Sequence, residues 1–193
     1  MLLDKVNNIS MLVMRRILFF VLLPVISFSH NSCKNLSLKS DYREFVNSEI
    51  ILPDSLCLVH DDQVLTVSPD IARPTLIIFI DSTSCTSCQI SHLNEFEKLF
   101  DLSAGSELFD MMILFSPKTE ETSKLIKDIL LSVIEYDIYV DSNSEFMLYN
   151  EQIPSDERFH IFLINKEKKP IFVGNPLATE ELWKIFLKRI TTN

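Results

Sequence analysis

Residues 75–100 read TLIIFI DSTSCTSC QISHLNEFEKLF, and this stretch decides the fold class. Its first six residues form an unbroken β-branched and aromatic run, which is typical of a central strand buried on both faces. Its last twelve residues place apolar side chains at helical spacing. Between these two segments stand Cys85 and Cys88, separated by two residues. The sequence therefore predicts a strand over Thr75–Ile80, a turn that carries cysteine, and a helix over Cys88–Phe100.

The rest of the chain after residue 49 alternates strand and helix patterns. Short apolar runs predict two strands before the central one and four after it, and amphipathic periods predict three later helices. The predicted strands are Ser55–His60, Gln63–Val67, Phe109–Phe115, Tyr136–Val140, Phe159–Asn165 and Pro170–Val173, and the predicted helices are Glu120–Val133, Ser144–Glu151 and Thr179–Arg189. This order predicts an α/β domain with a mixed central sheet and helices on both faces.

Composition excludes several classes of function. The 193 residues carry a formal net charge of −9, which argues against a nucleic-acid partner because such proteins present a basic surface. Only two glycines occur, so neither a Gly-rich phosphate loop nor a G-x-S-x-G nucleophile turn is available. We expect no cofactor and no resident metal.

The first thirty residues have the pattern of an export signal. Arg15 and Arg16 precede an apolar run over residues 17–28, which is shorter than the roughly 20 residues a membrane-spanning helix needs. The run leads to Cys33, and a cysteine directly after an export segment resembles the lipid-attachment site of bacterial lipoproteins. An ordinary secreted protein is the alternative. The predicted organisation is a signal peptide over 1–32, a polar tether over 33–48 and a domain over 49–193.

The pair Cys85 and Cys88 is the candidate for chemistry. Two thiols at this spacing on the first helical turn can form a disulfide with little movement, and the helix N-terminus favours the thiolate, which is the attacking species. We expect Cys85 to be the exposed attacking thiol and Cys88 the buried resolving thiol. A metal site is an alternative, and it would need further ligands such as His92 or His160. A structural disulfide is the third interpretation.

The strand, the cysteine pair and the following helix resemble the thioredoxin superfamily. The segment 159–176, FHIFLINKEKKPIFVGNP, is similar to the C-terminal hairpin of that fold. With the export pattern, the nearest branch is the envelope-anchored TlpA-like thiol–disulfide oxidoreductases. The resemblance implies a thioredoxin-like fold and disulfide exchange with protein thiols through Cys85 and Cys88. It also implies a periplasm-facing protein that is held to a bacterial envelope membrane only by its lipid and is served by a membrane-anchored redox partner.

The chain departs from that family at the substrate groove. The family has a cis-proline before its penultimate strand, whereas Phe159 followed by His160 stands there in this chain, and we expect these two residues to line the groove. The buried acidic residue of thioredoxin aligns with Phe79. Three other functions stay open: a copper or zinc chaperone, a thiol peroxidase, and a redox-inactive lipoprotein that binds a partner. The peroxidase would need an arginine and a threonine around its cysteine, and the sequence offers Thr83 nearby but no evident arginine.

Overall fold

The computed structural model describes residues 38–83, 86–132 and 134–192, except for the side chains of residues 86 and 87. The chain divides into two units, and the second, Arg43–Asn193, contains the sheet. Of the first unit, the structure describes only residues 38–42. The predicted signal peptide over 1–32 and the predicted lipidation site Cys33 lie outside the described residues. Within the described ranges, no helix has the length and apolar character needed to cross a membrane.

Seven strands of the described chain form one mixed sheet. They are β1 (Leu56–His60), β2 (Gln63–Val67), β3 (Thr75–Ile80), β4 (Asp110–Phe115), β5 (Ile138–Val140), β6 (Ile161–Ile164) and β7 (Pro170–Val173). Their order across the sheet is β2-β1-β5-β4-β3-β6-β7. The pairs β3–β4 and β4–β5 are parallel, and the other neighbouring pairs are antiparallel. The predicted mixed sheet is therefore confirmed.

One helix that was not predicted precedes the strands, and the later helices alternate with them in the predicted order. They are α1 (38–47), α2 (Thr86–His92), α3 (Glu97–Ser106), α4 (Thr122–Leu130), α5 (Glu145–Tyr149) and α6 (Glu180–Thr192). The single helix predicted over Cys88–Phe100 is in fact two helices, because the 3₁₀ turn Leu93–Phe96 separates α2 from α3. The three later helices were predicted to within a few residues of their observed ends.

The core is arranged around β3, all six residues of which are buried. Ile77 and Phe79 belong to one cluster, to which α1 and α5 each contribute a phenylalanine. Ile78 and Ile80 point to the opposite face, into a cluster that includes residues of α2 and α4. Leu76 joins a third cluster with residues of α3 and α6. Helices therefore cover both faces of the sheet, and β3 is the central strand that its apolar run predicts.

The core begins earlier in the chain than was predicted. Phe45 is 0% exposed, and its ring lies 5.1 Å from that of Phe162 in an edge-to-face arrangement. Phe45 lies inside the segment 33–48 that was predicted to be a polar tether, and most of the second half of that segment forms α1. Leu38, Tyr42, Phe45 and Val46 recur at helical spacing in this segment, and the prediction of a polar tether overlooked that period.

Several turns place residues other than glycine in the left-handed backbone region. Five described residues other than glycine have positive φ, namely Asp61 (43°), Asp62 (60°), Glu107 (52°), Ser144 (56°) and Lys168 (57°). Asp61 and Asp62 are the two central residues of the β1–β2 hairpin, where positive φ at both positions is the type I′ geometry. Glu107 ends α3.

Candidate functional site

The cysteine pair follows the carboxyl end of β3. The first turn after the strand is fixed by Asp81, whose Oδ1 accepts hydrogen bonds from the Thr83 backbone N–H at 2.9 Å and from the Thr83 hydroxyl at 2.7 Å. Cys85 lies outside the described residues, and the next residue, Thr86, is the first residue of α2. The site therefore lies at the carboxyl edge of the parallel strands, which is where open α/β sheets usually bind their ligands.

Cys88 is exposed on α2, so the prediction that it is the buried thiol is wrong. The residues that turn towards the core are Ile90 and, just after the helix, Leu93. Two residues along a helix correspond to a rotation of about 200°, so Cys88 lies on the side opposite Ile90. The Cys88 carbonyl accepts a hydrogen bond from the Ser91 hydroxyl at 2.7 Å. A disulfide on another protein can therefore reach this side of the helix.

His160 is buried directly before β6, with 3% of its surface exposed. Its carbonyl accepts a hydrogen bond from the Phe79 backbone N–H at 2.9 Å, and the two rings meet edge to face with centroids 5.2 Å apart. The Nε2 atom lies 3.1 Å from the Pro154 carbonyl oxygen, and since a carbonyl only accepts, Nε2 carries the proton. Phe159 is half-buried and packs against the cluster that contains Phe79. Both predicted groove residues thus lie beside the end of β3.

A cavity of about 150 Å³ lies between α2 and the start of β6. Its lining residues are Ile78, Phe79, Ile80, Gln89, Leu93, Phe96, Glu157, His160 and Ile161. Gln89 directly follows Cys88, so the cavity adjoins the helix that carries the exposed thiol. The structure brings His160 to this cavity, whereas Phe159 is not among the lining residues.

The arginines near the ends of the sheet are engaged with carboxylates. Arg158 donates from Nη2 to Asp156 at 2.6 Å, and its hydrogen bonds are the main reason why the pKa of Asp156 is lowered to about 2. Arg73 forms an ion pair with Asp110 at 3.2 Å. The hydroxyl of Thr83 is bonded to Asp81, so the described residues do not show the arginine–threonine pair that a thiol peroxidase would need.

The described histidines do not join Cys88 in a metal site. His92 is exposed, and its Nδ1 lies 2.7 Å from Glu95 Oε1. Within the part of the chain that the structure describes, no three His, Cys, Asp or Glu side chains lie close enough to hold a metal ion. Cys57 is half-buried in β1, and burial raises the pKa of its thiol.

Two buried polar residues that sequence reasoning missed hold the region around α5. Asp141 accepts hydrogen bonds from the backbone N–H groups of Glu145 at 3.1 Å and Phe146 at 2.8 Å. Asn150 accepts from the Ile51 N–H at 2.8 Å and donates to the Ile51 carbonyl at 2.7 Å. An aspartate between a strand and a helix is a recognisable capping pattern. Asn150 has no such local pattern, because its partner lies 99 residues away.

A wider cavity of about 590 Å³ lies at the amino ends of the parallel strands. Its lining includes Thr75 and Asp110, the first residues of β3 and β4, so it lies at the end of these strands away from Cys88. On one side of it the ring of Tyr136 stacks on Phe100 at 3.5 Å. Burial, followed by the nearby carboxylates, raises the pKa of Tyr136.

His60 marks a further polar contact that sequence reasoning missed. Its Nδ1 bonds to Asp137, and its Nε2 lies 3.1 Å from the Asp61 carboxylate. The hydrogen bond to Asp137, followed by the charges of both carboxylates, raises the pKa of His60. The contact joins the end of β1 to the loop before β5.

Comparison of the sequence with known protein families and with curated proteins finds no match. Solved structures do resemble it. One is a thioredoxin-like protein from Porphyromonas gingivalis, with 14% identity and a TM-score of 0.46 over 75% of this chain and 92% of that chain. Another is an exposed lipoprotein thioredoxin from Streptococcus pneumoniae, with 16% identity and a TM-score of 0.45 over 72% of this chain and 99% of that chain.

A third solved structure is yeast Sco1 with copper bound, with 12% identity and a TM-score of 0.45 over 74% of this chain and 96% of that chain. Likeness at these identities and TM-scores says nothing of the activity of this chain. The chain is an α/β protein with a mixed seven-stranded sheet and helices on both faces.

Proposed function

We propose that this protein is an exported thiol–disulfide oxidoreductase that exchanges disulfides with protein thiols through Cys85 and Cys88. The observation that carries the proposal is the exposed thiol of Cys88 on α2, directly after the buried central strand β3. A rigid strand holds the site in place, while the thiol itself stays accessible to another protein. Disulfide exchange needs both properties, because in the proposed reaction Cys88 must attack the mixed disulfide on Cys85 in line while the substrate protein is still attached.

In the proposed reaction, the Cys85 thiolate attacks one sulfur of a substrate disulfide. A mixed disulfide forms, and the other substrate sulfur leaves as a thiolate that takes up a proton. Cys88 then loses its proton and attacks the Cys85 sulfur, which forms the Cys85–Cys88 disulfide and releases the second substrate thiol. Two electrons pass to the substrate, and a membrane-anchored reductant returns them. The reverse sequence would oxidise a substrate dithiol.

The roles of the two cysteines rest on their positions and not on burial. Cys85 directly precedes the first residue of α2, where unpaired backbone N–H groups favour a thiolate, and Cys88 lies within the first turn. The cavity beside Gln89 and His160 supplies a concave surface next to this turn. We propose that His160 lines the substrate groove there and that Phe159 supports the groove from outside the cavity.

The test is reduction of a disulfide-containing protein such as insulin by the purified chain with a dithiol as electron source. We expect the wild type and Cys57→Ser to be active and Cys85→Ser to be inactive. Cys88→Ser should accumulate a mixed disulfide with the substrate, because attack survives while release fails. If both Cys85→Ser and Cys88→Ser keep full activity, the proposal is wrong.

The same variants distinguish the metal alternative. In equilibrium dialysis against copper or zinc, we expect no metal binding that is lost when Cys85 or Cys88 is replaced by serine. If neither variant alters exchange but each abolishes metal binding, a metal chaperone replaces the redox proposal.

Export and anchoring form a separate part of the proposal. We propose that residues 1–32 are a signal peptide and that Cys33 carries the lipid, which would place the domain on the periplasmic side of a bacterial envelope membrane. The supporting pattern is Arg15 and Arg16 followed by a short apolar run and Cys33. Fractionation should find the wild type with membranes and Cys33→Ser mainly in the soluble fraction. Equal membrane retention of both would contradict lipidation.

A further inference from the structure

Among the described strands, β2 forms an open edge of the sheet. In the order β2-β1-β5-β4-β3-β6-β7 it lies at one end, and four of its five residues are exposed. Val64 is 49% exposed and Leu65 is 43% exposed. The strand contains no proline and no charged residue, which are the usual means of protecting an edge from pairing with another strand.

The hairpin turn fixes which backbone groups of β2 face outward. His60 and Gln63 flank a two-residue type I′ turn, and such a turn closes on a pair that exchanges both backbone hydrogen bonds. Hydrogen-bonded pairs alternate along an antiparallel ladder, so Leu65 and Val67 also bond inward to β1. Val64 and Thr66 therefore direct their N–H and C=O groups away from the sheet.

We infer that β2 pairs with β2 of a second copy of this chain, antiparallel, about a two-fold axis through Leu65. In this register Val64 faces Thr66 of the second copy, and Thr66 faces Val64 of the second copy. Both pairs present outward N–H and C=O groups to each other, which gives four backbone hydrogen bonds. The two Leu65 residues form the pair between them that has no hydrogen bonds. A symmetric interface of this kind uses the same surface on both copies.

The side chains of β2 are compatible with this arrangement. Val64 faces Thr66 and Leu65 faces Leu65 across the axis, and no charged residue faces a like charge along the five-residue ladder. Asp62 would lie opposite Ser68 of the second copy and not opposite another acid. The net charge of −9 opposes association of two copies, but screening limits this repulsion to about 8 Å at physiological salt.

The first test is sedimentation equilibrium of the full chain from micromolar to millimolar concentration. We expect a monomer–dimer equilibrium for the wild type and for Thr66→Ala, which keeps the N–H group. Thr66→Pro removes that donor while leaving the bonds to β1, and should weaken the dimer by about 30-fold because two of its four hydrogen bonds are lost. A wild type that stays monomeric, or a dimer that Thr66→Pro does not weaken, would overturn the inference.

A second test does not depend on the fold tolerating proline. Directly opposed residues without hydrogen bonds have Cα atoms about 4.5 Å apart, which lies within reach of a disulfide. Leu65→Cys should therefore form a disulfide between the two copies of position 65 under mild oxidation, located by peptide mapping. Val64→Cys is the matched control, because its two copies would lie about 8 Å apart or more. Cross-linking of Leu65→Cys no faster than that of Val64→Cys would contradict the two-fold register.

Discussion

Replacing Phe45 by alanine tests whether α1 belongs to the folded domain. The side chain is 0% exposed and meets the ring of Phe162 edge to face at 5.1 Å. Truncating a buried phenylalanine costs about 3–5 kcal/mol, and an aromatic pair of this geometry contributes about 0.5–1.5 kcal/mol beyond its area. We expect Phe45→Ala to lower the free energy of unfolding by about 4 kcal/mol. At about 2–4 °C per kcal/mol for a domain of this size, Tm should fall by about 8–16 °C.

The assay is urea unfolding followed by the fluorescence of Trp183, the single tryptophan of the chain. Its ring lies in α6 with the Lys98 ammonium 3.8 Å from its centre, so its environment changes when the helices separate from the sheet. Ile51→Ala is the matched control, because that side chain is 50% exposed and its loss should cost less than about 1 kcal/mol.

A truncated chain sharpens this test. A chain that begins at residue 49 lacks α1 and should be destabilised at least as much as Phe45→Ala. If that chain is as stable as the full one, or if Phe45→Ala costs less than about 1 kcal/mol, the domain begins at residue 49 and the packing argument fails.

Three further changes have clear expected results. Asn150→Ala leaves the backbone groups it holds without partners and should cost about 2–4 kcal/mol in urea unfolding; a cost below about 1 kcal/mol would contradict its role. Asp137→Asn should lower the pKa of His60 in an NMR titration; since the folded pKa is raised, this contact stabilises the fold fully below about pH 6.5 and is lost as pH rises through the folded pKa. An unchanged His60 titration would contradict it. Arg158→Ala should raise the pKa of Asp156 from about 2 towards the ordinary value. Because the folded pKa is lowered, the contact stabilises the fold fully above about pH 4, and this stabilisation is lost as pH falls towards 2. An Asp156 pKa that stays near 2 in the variant would contradict the role of Arg158.

Local patterns were sufficient for most of the fold. The bounds of β2, β3 and β7 match the predicted ones, because the turn at Asp61 and Asp62 and the prolines at 74 and 170 mark their ends. The 3₁₀ turn Leu93–Phe96 could not be predicted in the same way. Its residues continue the apolar period of α2 and α3, so the pattern is the same whether or not the helix is interrupted.

The candidate site was predicted less completely than the sheet. Cys88 was predicted to be buried because it is the second cysteine of the motif. Its spacing to the core residue Ile90 would have predicted the exposed position that the structure shows. The burial of Phe45 and the bonds of Asn150 depend on residues about a hundred positions away in the chain. Such contacts exist only once the sheet has formed, so no window of sequence contains them.

The left-handed turns of this chain carry backbone strain that lowers the stability of the folded state. A residue with a side chain in that backbone region costs roughly 1–2 kcal/mol relative to a relaxed conformation, and glycine avoids most of this cost. Glu107 and Lys168 hold φ values of 52° and 57° at the end of α3 and in the β6–β7 turn. Because the chain has only two glycines, its unfolded state has comparatively little conformational freedom. The same lack of glycine leaves residues with side chains in the strained left-handed turns of the folded state. Replacing Glu107 or Lys168 by glycine would therefore relieve strain in the folded state and increase the freedom of the unfolded state, and the net change in stability is the difference between the two.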